Sequence, residues 1–141
     1  MAEESTTPDL VELAQRLEGA MRAGGNLDLI VSLYADDAMY DMSATGLGVF
    51  EGRAAIRRFY EDFRSSYETF EFEYEDVRDL GHGVSFFVII NRGRPHGSAH
   101  WLEVRYAAVV IWAGGLIARM TVYGDNDVAL TAAERLAAER G

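Results

Sequence analysis

The sequence contains no cysteine, no lysine and only two prolines in 141 residues. Without cysteine, the chain can form neither a disulfide scaffold nor a thiolate metal site. All 13 basic residues are arginines, and 23 acidic residues give a net charge of −10. Because such a charge repels phosphate backbones, we expect no nucleic-acid partner. No apolar run approaches the roughly 20 residues that a transmembrane helix needs, so we also expect no membrane partner.

The composition is that of a globular protein, with 49% hydrophobic and 26% charged residues. Typical domains contain about 100–150 residues, which suits the length of this chain. We therefore predict a single domain over residues 1–141, with residues 1–6 disordered. The acidic, polar segment Met1–Pro8 does not resemble a signal peptide, and we expect a cytoplasmic location.

Apolar residues recur at helical spacing in the first half of the chain and predict three helices there. The helices are expected from Pro8 to about Met21, over residues 27–34 and over residues 53–67. A short apolar strand at 38–42 is expected between the second and third helices. It leads into a glycine-containing loop at 46–52.

The second half of the chain changes to alternating patterns. Aromatic residues alternate with glutamates over 70–75, which predicts a strand with one buried apolar face and one solvent-exposed face. The strand expected at 84–91 is apolar on both faces and should therefore be central. Two further strands are expected at 98–112 and 116–123, joined by a hairpin turn.

The chain closes with a helix that Asp125 or Asn126 would cap. Helices and antiparallel strands that are segregated along the chain predict an α+β fold. We expect a cone-shaped, curved antiparallel sheet wrapped around the three N-terminal helices, with the C-terminal helix added to it. A sheet of this shape encloses a cavity.

Three segments carry a resemblance to the SnoaL-like (nuclear-transport-factor-like) superfamily. They are Leu33–Ala38, Phe50–Tyr60 and Trp112–Ile117, in that order and at matching spacings. The resemblance covers the chain from about Leu10 to Asp125. It implies a cone-shaped α+β barrel, usually dimeric, with a pocket between the sheet and the helices. Members include ketosteroid isomerases, polyketide cyclases, epoxide hydrolases, dehydratases and proteins with no known chemistry, so the fold alone does not decide the function.

The ketosteroid isomerases of this superfamily resemble the chain through Tyr34–Ala38 and Phe59–Tyr60. An ungapped alignment places their catalytic base on Met42, their oxyanion-hole tyrosine on Glu18 and their proton-donating aspartic acid on Ala108. None of these three residues can fill the corresponding role. We therefore do not expect the ketosteroid isomerase mechanism.

The same alignment assigns alternate residues of two strands to the cavity. On the last strand these are Ile117, Arg119, Thr121 and Tyr123. On the preceding strand these are His100, Leu102, Val104, Tyr106, Ala108 and Val110. One bulge would invert the assignment, because a slip of one residue moves every side chain to the other face.

Asp41 is the first candidate catalytic residue. Desolvation among Tyr40, Met39 and Met42 would disfavour its charged form, and the raised pKa would suit a general base. The alternative is that Asp41 faces outwards while Met42 fills the pocket.

His100 and Arg119 are the other two candidate catalytic residues. His100 would be the acid, because histidine titrates near neutrality; alternatively, it is a polar residue at the open end of a strand. Arg119 would give electrostatic support, paired with Asp41 or Glu18 if it faces inwards; alternatively, it lies on the convex side. Such a pair near a tyrosine resembles the epoxide hydrolases of this fold, although their second aspartate is missing.

Seven residues are candidate substrate-binding residues, with plain packing as the alternative for most of them. They are Tyr34, Met42, Phe59, Tyr60, Tyr106, Trp112 and Tyr123. Three scattered histidines give no metal-ligand spacing, so we expect no metal. No glycine-rich loop follows a strand and opens a helix, so we expect no nucleotide cofactor, and we predict none of any other kind.

These observations predict a protein that binds a hydrophobic or polycyclic small molecule. As an enzyme it would be a cofactor-independent isomerase, cyclase, dehydratase or hydrolase that works by general acid/base chemistry. The alternative is a non-catalytic ligand-binding or dimerisation module of the same fold. The resemblance also implies a homodimer.

Overall fold

The computed structural model describes residues 9–22 and 27–141, so the segment 1–6 that was expected to be disordered lies outside the described residues. Helices and strands follow the predicted order, with one additional strand. They are α1 Leu10–Arg22, α2 Leu27–Ser32, β1 Tyr34–Met42, a 3-10 turn Ser43–Thr45, β2 Gly48–Glu51, α3 Arg53–Ser65, β3 Tyr67–Gly81, β4 Val84–Pro95, β5 Leu102–Ala113, β6 Leu116–Tyr123 and α4 Asn126–Arg140.

The six strands form one sheet in the order β2-β1-β6-β5-β4-β3. Neighbouring strands are antiparallel except for β1 and β6, which run parallel. Parallel neighbours need a long connection, and here α3 and the four strands β2 to β5 provide it. The predicted α+β fold is confirmed: N-terminal helices, a mostly antiparallel cone-shaped sheet and a C-terminal helix.

Strand β1 begins at Tyr34, four residues earlier than the predicted strand. Helix α2 ends at Ser32, and the backbone N–H of Ile117 donates to the carbonyl of Leu33 at 2.7 Å. Pairing with β6 therefore outweighs the helical spacing of residues 27–34, since tertiary context overrides weak local propensity. The predicted loop at 46–52 likewise contains β2, which pairs with β1.

Strand β4 is central, as its two apolar faces predict. Every residue from Val84 to Ile90 is buried. Its inner face contributes Phe87 and Ile89 to a core shared with α1, α2 and β1. Its outer face contributes Phe86 and Val88 to a second core.

Helix α4 covers that second core with a stripe of alanines. Ala129, Ala133 and Ala137 recur every four residues, face the sheet and are buried. Small side chains at this spacing allow close approach of helix and sheet. The carboxylate of Asp125 caps the helix by accepting hydrogen bonds from the backbone N–H groups of Asp127 and Val128, which decides between the two predicted caps.

Strand β5 extends beyond the end of its neighbour β6. Strand β4 continues to Pro95, past the predicted end at Asn91, whereas β5 begins at Leu102 instead of Ser98. Strand β6 pairs with β5 only from Ala107 to Ala113. The segment Leu102–Tyr106 therefore has no strand on its β6 side within the described residues. Within residues 9–22 and 27–141, no helix is long and apolar enough to cross a bilayer.

Candidate ligand-binding cavity

A cavity of about 430 Å³ lies between helix α3 and the inner face of the sheet. Helix α3, the inner faces of the strands and the turn between β1 and β2 contribute its walls. Nine aromatic side chains line it: Tyr40, Phe59, Tyr60, Phe63, Tyr67, Phe70, Phe72, Tyr74 and Tyr106. Aliphatic side chains fill most of the remaining wall, so the cavity suits an apolar guest.

The aromatic rings form a continuous series of contacts around the cavity. The rings of Phe63 and Phe70 meet edge to face at 5.2 Å between centroids, which joins α3 to β3. Along β3, Phe72 and Tyr74 meet in the same way at 5.3 Å. Edge-to-face contacts of this kind add to the stability that burial gives, so the wall is a packed and ordered surface.

Tyrosine hydroxyls are the main polar groups of this wall. The hydroxyl of Tyr60 lies 2.9 Å from that of Tyr34, which sits behind the cavity wall. The hydroxyl of Tyr106 donates to Oδ1 of Asn91 over 3.5 Å. Tyr74 donates no side-chain hydrogen bond within the described part of the chain. Its hydroxyl is therefore available to a ligand.

Burial keeps these tyrosines neutral. Desolvation raises the pKa of Tyr34, Tyr40 and Tyr60 well above the ordinary value for tyrosine, and does the same for Tyr74. It raises the pKa of Tyr106 to about 12, against the opposing effect of its hydrogen bond to Asn91. At physiological pH the hydroxyls can donate hydrogen bonds, but they are not proton acceptors of useful strength.

Asp41 and Arg119 meet, as one sequence hypothesis proposed, but on the outer face of the sheet. Nη2 of Arg119 lies 2.8 Å from Oδ2 of Asp41. Neither residue lines the cavity, whereas their neighbours Tyr40 and Met120 do. The outward alternative for Asp41, in which Met42 fills the pocket, therefore describes the structure.

A bulge in β6 explains why the predicted cavity side is inverted there. The pairing of β5 with β6 shifts by one residue between Ile111 and Trp112. Ile117 faces the inner core as predicted, but beyond the bulge the inner residues are Met120 and Val122. The assignment of Arg119, Thr121 and Tyr123 to the cavity is therefore wrong.

The environment of Asp41 lowers its pKa, contrary to the predicted increase. The hydroxyl and backbone N–H of Ser43 both donate to Oδ1 of Asp41. These two bonds stabilise the carboxylate more than desolvation disfavours it, and the positive charge of Arg119 adds to them. A carboxylate held in its charged form in this way is a weaker base than an ordinary aspartate.

His100 lies outside the cavity. It precedes β5 in the irregular connection 96–101, is exposed, and donates its backbone N–H to Oγ of Ser98. Of the three candidate catalytic residues, only Asp41 and Arg119 are thus brought together, on the face of the sheet away from the cavity. Among the residues lining the cavity there is no carboxylate and no imidazole.

The seven candidate substrate-binding residues divide into three groups. Met42, Phe59, Tyr60 and Tyr106 line the cavity, and Tyr34 supports Tyr60 from behind. Trp112 is buried in the inner core, where its indole N–H donates to Oγ of Ser85 at 2.7 Å. Tyr123 packs against the second core beneath α4, on the other side of the sheet. Trp112 and Tyr123 therefore do not contact the cavity.

Several wall residues were not singled out from the sequence as binding residues. They are Phe63, Tyr67, Phe70, Phe72 and Tyr74. The alternation of aromatic and acidic residues did indicate three of them, Phe70, Phe72 and Tyr74, as the apolar face of the strand predicted at 70–75. The pattern does not show whether this apolar face borders a cavity or a filled core, because that depends on the curvature of the whole sheet.

The mouth of the cavity has an apolar rim. Leu47 is 55% exposed, and across the opening Leu102 and Val104 are 49% and 54% exposed. Large apolar side chains left this open mark a route of entry or a surface for a partner.

Comparison with known proteins places the chain in a family. Residues 15–120 match the model of the SnoaL-like domain. None of the curated proteins is a sequence match for this chain.

Solved structures share the fold at low sequence identity. A protein from Catenulispora acidiphila DSM 44928 with a ketosteroid isomerase-like fold, solved with trimethylamine, has a TM-score of 0.68 and 19% identity, and the match covers 92% of this chain and 94% of that one. TerC co-crystallised with polyporic acid has a TM-score of 0.67 and 15% identity, over 89% and 97% of the chains. The epoxide hydrolase/cyclase-like enzyme SalBIII has a TM-score of 0.66 and 17% identity, over 80% and 88%. With three quarters of its length matched by the family model and its architecture shared with these structures, the chain belongs to the SnoaL-like domain family.

Proposed function

We propose that this protein binds an uncharged, hydrophobic small molecule with one or more rings in the aromatic cavity. The observation that carries the proposal is the set of nine aromatic side chains around about 430 Å³ of space. Ligand cavities in proteins typically measure about 300–1,000 Å³, so this one suits a compact molecule of a few rings. Ring faces and edges of the wall would stack on the rings of the guest.

The polar groups of the wall favour a ligand with an acceptor oxygen, such as a carbonyl or ether group. Tyr74 presents a hydroxyl that stays neutral, and a neutral hydroxyl donates well to a carbonyl oxygen. Among the described residues, Arg105 is the one charged residue that borders the cavity, and Glu75 holds it in two hydrogen bonds of 2.7 and 2.9 Å. No strong charge is therefore left over for an ionic ligand.

The comparisons support this class of ligand without deciding it. TerC was crystallised with polyporic acid, and SalBIII is described as acting in pyran ring formation in a polyether. Their identity to this chain is below 20%, so the likeness supports a small-molecule cavity and does not name its occupant.

Fluorescence titration with an anilinonaphthalene dye, followed by its displacement with a panel of uncharged ring ketones and quinones, tests the proposal. We expect saturable binding that Tyr74→Phe weakens roughly fivefold for carbonyl ligands, the effect of one hydrogen bond of about 1 kcal/mol. Tyr123→Phe removes the same group from the opposite face of the sheet and is the matched control. Equal effects of the two substitutions, or no saturable binding, would contradict the proposal.

A second candidate function is catalysis on such a ligand, as a cofactor-independent isomerase, cyclase, dehydratase or hydrolase. The hydrogen-bonded pair of Tyr34 and Tyr60 favours it. When Tyr34 donates to Tyr60, and not to the weaker acceptor Sδ of Met120 at 3.8 Å, the hydroxyl of Tyr60 is polarised and free to donate into the cavity. A donor of this kind stabilises negative charge that develops on a substrate oxygen during proton transfer.

Turnover of any ligand found in the displacement assay tests this second candidate. Tyr60→Phe should lower kcat while leaving KM nearly unchanged, because the interaction strengthens in the transition state. An unchanged kcat would reject the role of Tyr60. The roles of Asp41, His100 and Arg119 stay predictions, and their positions outside the cavity do not support them.

The predicted homodimer is also proposed for this chain. The support for it is the group of exposed apolar side chains at the start of β5: Trp101, Leu102 and Val104. The cytoplasmic location and the single-domain organisation over residues 1–141 stay predictions.

A further inference from the structure

The outer end of β5 has an open backbone edge. Strand β4 pairs with β5 from Leu102 onwards, whereas β6 stops at Tyr123, opposite Ala107. Leu102–Tyr106 thus presents five residues of unpaired backbone on its β6 side within the described part of the chain. An open edge of this length is a template for pairing with another strand.

The side chains along this edge are unusually exposed for their type. Trp101 is 53% exposed, and Leu102 and Val104 are about half exposed on the cavity side. On the outer side, Glu103 and Arg105 alternate in charge. The open edge therefore combines unpaired backbone, apolar side chains and charges of both signs.

We propose that this edge pairs antiparallel with the same edge of a second copy of the chain, about a two-fold axis at Val104. The pairing joins the two sheets and covers the exposed side chains of both copies. Isologous contact of this kind is the usual geometry of a symmetric dimer.

The charges on the outer side select the register. With the axis at Val104, Glu103 lies opposite the partner's Arg105, and Arg105 lies opposite the partner's Glu103. Moving the axis to Glu103 places two glutamates opposite each other, and moving it to Arg105 places two arginines opposite each other. Directly opposed like charges destabilise a strand pair, whereas opposite charges stabilise it.

The same register involves the cavity. Leu102 and Val104 form part of the cavity mouth, and their side chains face the same side of the joined sheet in both copies. The partner's Val104 lies directly opposite Val104, and the partner's Leu102 lies opposite Tyr106. A second copy therefore adds apolar wall beside the mouth, and the cavity is more enclosed in the dimer than in one chain.

Self-complementarity favours a second copy over other occupants. The sequence Leu102–Tyr106 carries its positive and negative residues symmetrically about Val104, which a peptide of unrelated sequence need not match. The net charge of −10 also opposes binding to anionic membranes.

Sedimentation velocity at micromolar concentrations, with circular dichroism as the check on folding, tests the register. Glu103→Arg places two arginines opposite each other in the homodimer, and Arg105→Glu places two glutamates opposite each other. Each substitution should weaken dimerisation roughly tenfold or more, because two contacts are reversed at once. An equimolar mixture of the two variants restores both pairs between unlike chains, so it should form a heterodimer of nearly wild-type affinity.

The mixture also separates this surface from general effects of charge. Each variant loses one ion pair within its own chain, Glu103 with Arg92 or Arg105 with Glu75, and mixing does not restore either. Glu61→Arg on α3 is a control for charge reversal and should leave the dimer intact. A monomeric wild type, single variants that dimerise normally, or a mixture that stays monomeric would each overturn the proposal.

Discussion

The carboxylate of Asp41 and the guanidinium of Arg119 form a 2.8 Å ion pair on the face of the sheet that is turned away from the cavity. Asp41 is only 14% exposed there, while Arg119 is 41% exposed. The pair joins β1 to β6, the two parallel neighbours, close to where β6 changes register. Its position indicates a structural role at this junction of the sheet.

We predict that Asp41→Asn lowers the free energy of unfolding at pH 7 by roughly 1 kcal/mol or less, because the half-exposed partner limits the strength of the ion pair. Ligand affinity in the cavity should not change. Chemical denaturation and dye titration measure the two effects. Asp37→Asn, on an exposed residue of the same strand, is the control and should leave both unchanged.

The contribution of Asp41 to stability should disappear in acid. Its pKa is lower in the folded chain than the ordinary value of 3.8, chiefly through the two hydrogen bonds from Ser43. The contribution is therefore complete above about pH 5 and is lost as pH falls through the folded-state pKa. Unfolding curves of wild type and Asp41→Asn should converge in acid. A difference that widened there would show that folding raises the pKa of Asp41 and does not lower it.

The cavity tyrosines should resist ionisation in the folded protein. Burial raises the pKa of Tyr34, Tyr40, Tyr60, Tyr74 and Tyr106. Absorbance at the phenolate band should therefore rise only in part between about pH 9 and pH 11, and rise fully around pH 10 once guanidinium unfolds the chain. Because raised pKa values favour folding below the unfolded pKa, stability should fall as pH increases through about 10. Full ionisation in the native state would contradict the burial of these hydroxyls.

Gly93 should tolerate no side chain. A Cβ atom at this position would lie 2.6 Å from Cδ1 of Tyr67, so Gly93→Ala must displace that ring from the cavity wall. We expect a loss of about 1–3 kcal/mol in stability and a change in ligand affinity.

Gly19→Ala is the matched control, because open space surrounds that position in helix α1. Alanine in a helix interior is more stable than glycine by up to about 1 kcal/mol, so this variant should gain stability. Thermal unfolding of the two variants therefore shifts in opposite directions. A neutral Gly93→Ala would mean that Tyr67 moves without cost.

The fold could be predicted from the sequence because its signals are local and repeated. Helical spacing, alternating strands and three family-like segments all indicated the same architecture. The departures arose where partners distant in sequence decide the structure. Tyr34 joined a strand because of Ile117, 83 residues away, and β2 formed because β1 lay beside it.

The site was only partly predictable, because its geometry depends on the phase of each strand. On β5, Leu102, Val104 and Tyr106 face the cavity as expected. On β6 one unpaired residue reverses the pattern, and no feature of the sequence marks that point. Two candidate residues, Arg119 and Tyr123, were therefore placed on the wrong face.

That unpaired residue decides which side chains of β6 border the cavity. Were it paired with β5, so that the strand continued from Ile117 without a bulge, Arg119 and Thr121 would face inwards in place of Met120 and Val122. A dry chamber would then hold a guanidinium and a hydroxyl. The chemical character of the chamber thus rests on one irregularity of backbone pairing, without any substitution in the chamber itself.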